Sequence, residues 1–334
     1  MAYQNVGTPR FYIDIPTYLN SIGEDYGEGF DKSLFTLNPI TPVVFLEEAF
    51  GYDKFINLNI PINKLCNHNK FYFAILNHNL GGTPNGFNEY EGFTLSQMQG
   101  NELVLGDYNV GSAQIGSTIL TSNLQGASED DEMIELKLIQ ATKDIYAGSI
   151  SFGSYYNMTN SADLDLTMEI EFDGYNSFQT AGGSTLTNVT YNGSPYWNDK
   201  DGNKSEPFSV GTSTGLSKRN GRRNWSMKFS YVSDKDLFAS NYMSNNHLET
   251  STNYDGDDLT TDSNNFEYNL NNDDSFIAQV LNKVGNGQRF IFQPDNTNNN
   301  PDQFAICVLD QDSLSIKQVA HKVYDFSLKI REVW

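Results

Sequence analysis

The sequence predicts a mainly all-β chain: a jelly-roll or β-sandwich domain, then a second antiparallel β scaffold, with one or two short helices. Three observations carry this. Three separated stretches alternate apolar and polar residues with period two, the pattern of a strand with one wet face. Aromatic residues make up 13% of the chain, with 22 Phe and 19 Tyr, types that fit pleated, half-buried surfaces. Helical periodicity with start and stop signals occurs in only two places.

In chain order, residues 14–22 read as a short helix, with Pro16 near its first turn and Gly23 as a stop. Residues 71–76 read as a strand that runs into the turn-rich stretch from Leu80 to Gly86. Residues 134–139 and 149–152 are further short strands, and their spacing suits a sandwich or jelly roll. Leu164, Leu166, Met168, Ile170 and Phe172 then alternate with Asp165, Thr167, Glu169, Glu171 and Asp173. Trp225, Met227, Phe229 and Tyr231 repeat that alternation after Arg222 and Arg223, and Tyr324, Phe326, Leu328 and Ile330 repeat it again. These three segments are expected to share a sheet. The better helix opens at Asp273, Asp274 and Ser275; it places Phe276, Ile277, Val280, Leu281 and Val284 on one face, with Gly285 as a stop. Residues 179–217 are Gly/Ser/Asn-rich, residues 241–272 are Asn/Asp/Ser/Thr-rich, and both stretches read as long loops.

The chain carries 42 acidic and 21 basic side chains, a formal charge of −21. Such a surface repels phosphate backbones and anionic lipid heads, which argues against nucleic acid or a membrane as partner. No apolar run reaches the length of a membrane span. Residues 1–10 are polar and lack the apolar centre of a secretory signal, so folding in a cytoplasm is expected. Cys66 and Cys307 lie far apart and suggest buried small side chains rather than a disulfide framework or zinc site.

Phosphate loops, dinucleotide fingerprints, nucleophile elbows and His-Glu-x-x-His are all missing from the sequence. His68 and His78 have no Cys or carboxylate at metal-ligand spacing, so neither metal nor cofactor is expected. Asp199-Lys200-Asp201-Gly202-Asn203 resembles the middle of a calcium loop, but Trp197 stands at its first ligand position and cannot coordinate. With 42 carboxylates some pair will always fall at glycosidase spacing, and no pair carries a local signature. No catalytic residue is assigned, and the chain does not read as an enzyme. Tyr191, Tyr196 and Trp197 stand out, because large aromatics in a Gly/Ser/Asn-rich loop either form a contact surface or plug the loop onto its own sheet.

Two groups of residues resemble known proteins. The apolar segment from Phe71, ending in His78-Asn79-Leu80-Gly81-Gly82, resembles an element of the discoidin-like (galactose-binding-like) jelly rolls of phage virion proteins. Residues 133–139 and 145–153 look like the closing strands of that domain. In physical terms His78 and Asn79 can bond backbone at a strand end, Leu80 can plug the sandwich and the glycines allow the turn, a structural role that does not mark a sugar site. The second group comprises residues 2–12, 164–172, 180–184, 221–234, 290–295 and 323–334. It is similar to structural proteins of marine tailed bacteriophages, and to tail-tip proteins in which Gly-Arg-Arg and an alternating strand follow a Gly-rich hairpin. The acidic, Asn-rich stretch 241–272 departs from both.

The resemblance implies a virion component, assembled in the host cytoplasm as a homo-oligomeric ring or lattice with other virion proteins. The expected place is the tail or baseplate, as a tail-tip, distal-tail or adaptor-type ring that touches host surface glycan. A capsid decoration or head-fibre protein is the alternative, and a carbohydrate-active enzyme is the rival from another class. The expected domains are an N-terminal segment 1–27 packing on the scaffold, a jelly roll 28–155 and a β scaffold 156–334.

Overall fold

Strands satisfy their backbone groups on neighbouring strands, so pairing order is the first thing a β-rich chain fixes. The computed structural model describes residues 7–45, 53–60, 62–67, 69–78, 80, 92–99, 102–103, 116–122, 133–139, 144–172, 175–189, 221–239, 273–285, 287–299 and 303–333. The protein is mostly β with a few short helices. Among the described residues every strand pair is antiparallel.

The first half is a two-sheet sandwich. Its strands are β2 (Val43–Phe45), β3 (Asp53–Asn59), β4 (Phe71–His78), β5 (Gly92–Gln99), β6 (Glu102–Leu103), β7 (Gly116–Ser122), β8 (Met133–Ile139) and β9 (Ile145–Asn157). One sheet runs β2-β9-β4-β7 and the other β3-β8-β5-β6. Counted as strands one to eight, these orders are 1-8-3-6 and 2-7-4-5, the two interleaved Greek keys of a jelly roll. Between the sheets lie Ile56, Leu58, Ile134, Leu136 and Leu138 on one side, facing Phe71, Phe73, Ile75, Ile150 and Phe152 on the other. Leu80 is fully buried in this core, and His78 Nδ1 accepts from Leu80 N–H at 3.1 Å, so the strand-end plug expected from the sequence is in place.

The jelly-roll sheet does not stop at its own domain. Strand β1 (Arg10–Tyr12) pairs on one side with residues 155–157 of β9 and on the other with β14 (Phe290–Gln293). From β14 the sheet continues through β15 (Ala305–Leu309), β17 (Val323–Glu332) and β13 (Arg222–Ser233) to β10 (Thr167–Glu171), with β16 (Ile316–Ala320) beside the first half of β17. Eleven strands thus form one sheet, and a boundary at 155/156 falls inside β9. The three alternating segments do share this sheet, as neighbours in the order β10-β13-β17.

Burial follows the alternation. Trp225, Met227 and Phe229 of β13 and Tyr324, Phe326, Leu328 and Ile330 of β17 all face one core. The covering layer is a π-helical turn, Ile277–Leu281, continued by Asn282–Val284, which brings Phe276, Ile277, Val280 and Val284 onto the sheet. The Phe276 ring stacks on Phe326 at 5.2 Å and meets Phe11 edge-on at 5.8 Å, contacts worth about 0.5–1.5 kcal/mol each beyond area burial. The opposite face of the sheet is buried around Tyr12, Tyr72, Leu76, Ile291 and Ile306. Helix α1 (Ile15–Ile22) forms where the sequence placed it: Asp14 caps its N-terminus through Thr17 N–H at 2.9 Å, Pro16 sits in the first turn and Gly23 closes it in the left-handed region.

Two sequence expectations need correction. The segment 164–172 is a strand only from Thr167, and Leu164 sits fully exposed in the preceding turn. Because β10 is an edge strand that outruns its covering layer, Ile170 and Phe172 are exposed as well, while Leu166 and Met168 pack on the core. Tyr231, read as the fourth inward residue of β13, points to solvent. A bulge between Phe229 and Val232 inserts one extra residue against β17, and the phase slips so that Val232 takes the buried place.

Candidate functional site

Outward-facing residues of β13, β16 and β17 form the floor of a surface groove, and the segment 310–315 forms its wall. The groove holds about 750 Å³ and is lined by polar side chains, among them Lys228, Asp310, Gln311, Lys317, Asp325 and Lys329. Its wall is fixed to β17: Asp310 N–H donates to Lys329 C=O at 2.8 Å, and Lys329 N–H donates to Gln311 Oε1 at 2.8 Å. At its floor Lys228 pairs with Asp163 at 3.5 Å, and Ser230 Oγ donates to the same carboxylate at 2.6 Å.

Beside Asp325 of this groove stands Tyr231. Its φ is +60°, a region that costs a residue with a Cβ roughly 1–2 kcal/mol, and its ring is 76% exposed. The bulge holds the strain in place, because Tyr231 N–H donates to Asp325 Oδ1 at 3.0 Å. A presented aromatic beside paired hydroxyl, amide and ionic groups suits a hydroxyl-rich or mixed-charge partner surface. Sequence reading missed this site. Its residues come from positions 163 to 329 with no local motif, and the one available signal was Tyr231 followed directly by Val232, a break in the alternation of β13.

The sequence-derived candidates Tyr191, Tyr196 and Trp197 lie outside the described residues, as do the loop stretches 190–217 and 241–272. His78, buried at its strand end, is pushed down to about 4 by desolvation. Asp14 is pushed up to about 6 by burial, with its bonds to Thr17 pulling the other way.

Three buried polar groups act as ties. Lys283 Nζ donates to Leu65 C=O at 2.6 Å and to Gln279 Oε1 at 2.9 Å, joining the second-half helix to the jelly roll; desolvation pushes this amine down to about 8. Nearby Cys66 is pushed up to about 11 by burial, which makes it a poor nucleophile. Arg223 and Glu332 form a buried two-pronged pair, Nε to Oε2 and Nη2 to Oε1, each at 3.1 Å, with Arg223 N–H also donating to Oε2. Among the described residues no three of His, Cys, Asp and Glu converge as a metal site, and no helix is long and apolar enough to cross a membrane. The chain matches no protein-family model, no curated protein and no solved structure.

Proposed function

We propose that this chain is a structural protein of a virus particle, a subunit that assembles with its own copies and with other particle proteins in the host cytoplasm. The observation that carries the reading is the strand order 1-8-3-6 and 2-7-4-5, prolonged by β1 into an eleven-stranded sheet. Jelly rolls of this order serve as shell and lectin-type domains, where rigid sandwiches present loops and edges to neighbours. The resemblance in sequence supports a tail-tip or adaptor ring as its position, in which the Tyr231 groove would turn to partner proteins or host glycan. The jelly-roll order itself favours a second place, in or on the capsid shell.

The test is assembly. The expressed chain is followed by light scattering over a concentration series and by negative-stain electron microscopy, alone and with particle proteins encoded beside it. Rings, lattices or a defined complex are expected. A strict monomer that joins no partner, together with turnover in a polysaccharide hydrolysis screen, would replace this reading with the enzyme alternative.

A further inference from the structure

Exposed aromatics differ in what their backbone costs. Phe55 on β3, Phe172 after β10, and Phe178 on β11 (Tyr175–Gln179), which pairs with β12 (Thr185–Val189) in a sheet of its own, are all exposed at negative φ. Tyr231 is exposed at φ +60°, and among the described residues it alone combines an open ring with a positive φ. Glycine or asparagine would hold that bulge at less cost. A ring 76% open to water recovers little of the cost by burial. The fold is less stable for having tyrosine at this place, which points to a role outside the fold.

The groove that Tyr231 flanks is balanced in charge. Lys228, Lys317 and Lys329 share its lining with Asp310, Asp312 and Asp325, three against three, in a chain whose acids outnumber its bases 42 to 21. A lining without net charge gathers neither a polyanion nor a polycation. It does set donors and acceptors side by side. Lys317 lies directly across from Asp325, and Lys228 directly across from Ser327. Ser313 and Ser315 add hydroxyls along the wall. The wall is held before any ligand arrives: Gln311 Oε1 accepts from Lys329 N–H, and Gln311 Nε2 donates to Ser313 C=O at 3.3 Å. Among the described lining residues Phe326 is the one apolar side chain, and it is buried in the core beneath. Protein interfaces centre on apolar patches, which this floor lacks. A concave, polar, charge-balanced groove beside one aromatic face suits a sugar chain instead. Sugar hydroxyls both donate and accept, and the C–H face of the ring packs on an aromatic.

We propose that this groove binds a neutral oligosaccharide, with Tyr231 as the platform for a sugar ring at the Asp325 end. The inference deepens the reading of the surface as one turned to host glycan and names the class of glycan. The test is the purified full chain on an array of neutral oligosaccharides of glucose, galactose, mannose and their N-acetylated amino sugars, with sulfated and uronic-acid oligosaccharides beside them. Calorimetric titration of the best binder follows. Neutral sugars are expected to bind, with an affinity unchanged between about 0.05 and 0.5 M salt. Tyr231→Gly is expected to weaken binding at least about 10-fold while Tm holds or rises, because glycine accepts the positive φ. Tyr231→Trp keeps a platform and is expected to retain binding. Lys317→Ala, on the outer face of β16, is expected to weaken it about 5-fold with an unchanged melt. No binding on the array, or binding that Tyr231→Gly leaves intact, overturns the site. A lower melt for Tyr231→Gly shows that the ring serves the fold and removes the argument for a ligand. Capture of sulfated or uronic-acid sugars alone, lost as salt rises, overturns the neutral class. A Tyr231→Gly chain that loses a neighbouring particle protein rather than a sugar overturns the glycan as occupant. Binding is read on the purified chain, so a monomer that takes the sugar sinks the assembly reading and leaves this one standing.

Discussion

Removing the indole of Trp225 tests the central register of the sheet. Trp225 is 1% exposed, meets Phe292 edge-on at 5.2 Å and lies 5.0 Å under the Arg223 guanidinium. Trp225→Ala empties a large aromatic site at the joint of β13, β17 and the helix layer, at a cost of about 3–5 kcal/mol. For 334 residues the entropy of unfolding converts this to a fall in Tm of about 4–7 °C. Trp225→Phe separates packing from polarity. The buried indole N–H has no acceptor among the described residues, so phenylalanine loses some volume but sheds an unsatisfied donor that costs about 1–3 kcal/mol. Its net cost is expected below about 1.5 kcal/mol. Calorimetry and urea titration of both variants measure the contrast. Equal destabilisation by Ala and Phe, or an unchanged melt for Ala, would refute the packing described for this strand.

Gly153→Ala places a Cβ 2.2 Å from the Ile13 carbonyl oxygen, at φ +154°, and neither backbone can yield without breaking the Ile13–Ser154 hydrogen bond; a loss above about 3 kcal/mol, or no soluble protein, is expected in expression and melting trials. Glu332→Ala removes the carboxylate partner of the buried Arg223 guanidinium, which keeps its bond to the Phe304 carbonyl but not its counter-charge, and is expected to cost about 3–5 kcal/mol by urea titration, whereas Glu332→Gln, which keeps an acceptor, costs less. Acid titration of stability carries two opposed slopes. Asp14 has a folded pKa near 6, above its ordinary 3.8, so its contribution is full below 3.8 and lost as pH rises through 6; His78, near 4 against 6.5, contributes above 6.5 and loses it as pH falls through 4. Asp14→Asn, which can still cap α1, is therefore expected to make the decline from pH 6 to 4 steeper than in wild type, and an unchanged slope would count against the burial assigned to Asp14.

Period-two alternation made β10, β13 and β17 legible as strands expected to share a sheet, while their order as neighbours came only with the pairing itself. It failed where both faces are covered. β9 is buried almost throughout, so its pattern marked only residues 149–152 and the resemblance only residues 145–153 of a strand that runs to Asn157. β1 has three residues and no pattern of its own, although it joins the two halves of the sheet. The helix at 273–285 was legible from its apolar face and Gly285, but not its π-helical turn, since both geometries bury the same residues. The groove was illegible because it is made of Lys, Asp and Ser drawn from four strand and loop segments, with only the phase slip at Tyr231 to mark it.

The joint between the halves bears on how such a subunit would carry load. β1 holds β9 and β14 in one ladder, Lys283 reaches across to the Leu65 carbonyl, and Arg289 Nη1 donates to the Leu37 carbonyl at 3.0 Å. These ties come from different elements, so the jelly roll cannot swing against the second half without breaking a strand ladder and two cationic hydrogen bonds to backbone. Two domains on a flexible linker would let neighbours in a ring tilt independently. A shared sheet instead passes any displacement at β7 along to β10, at the other end of the same strand order.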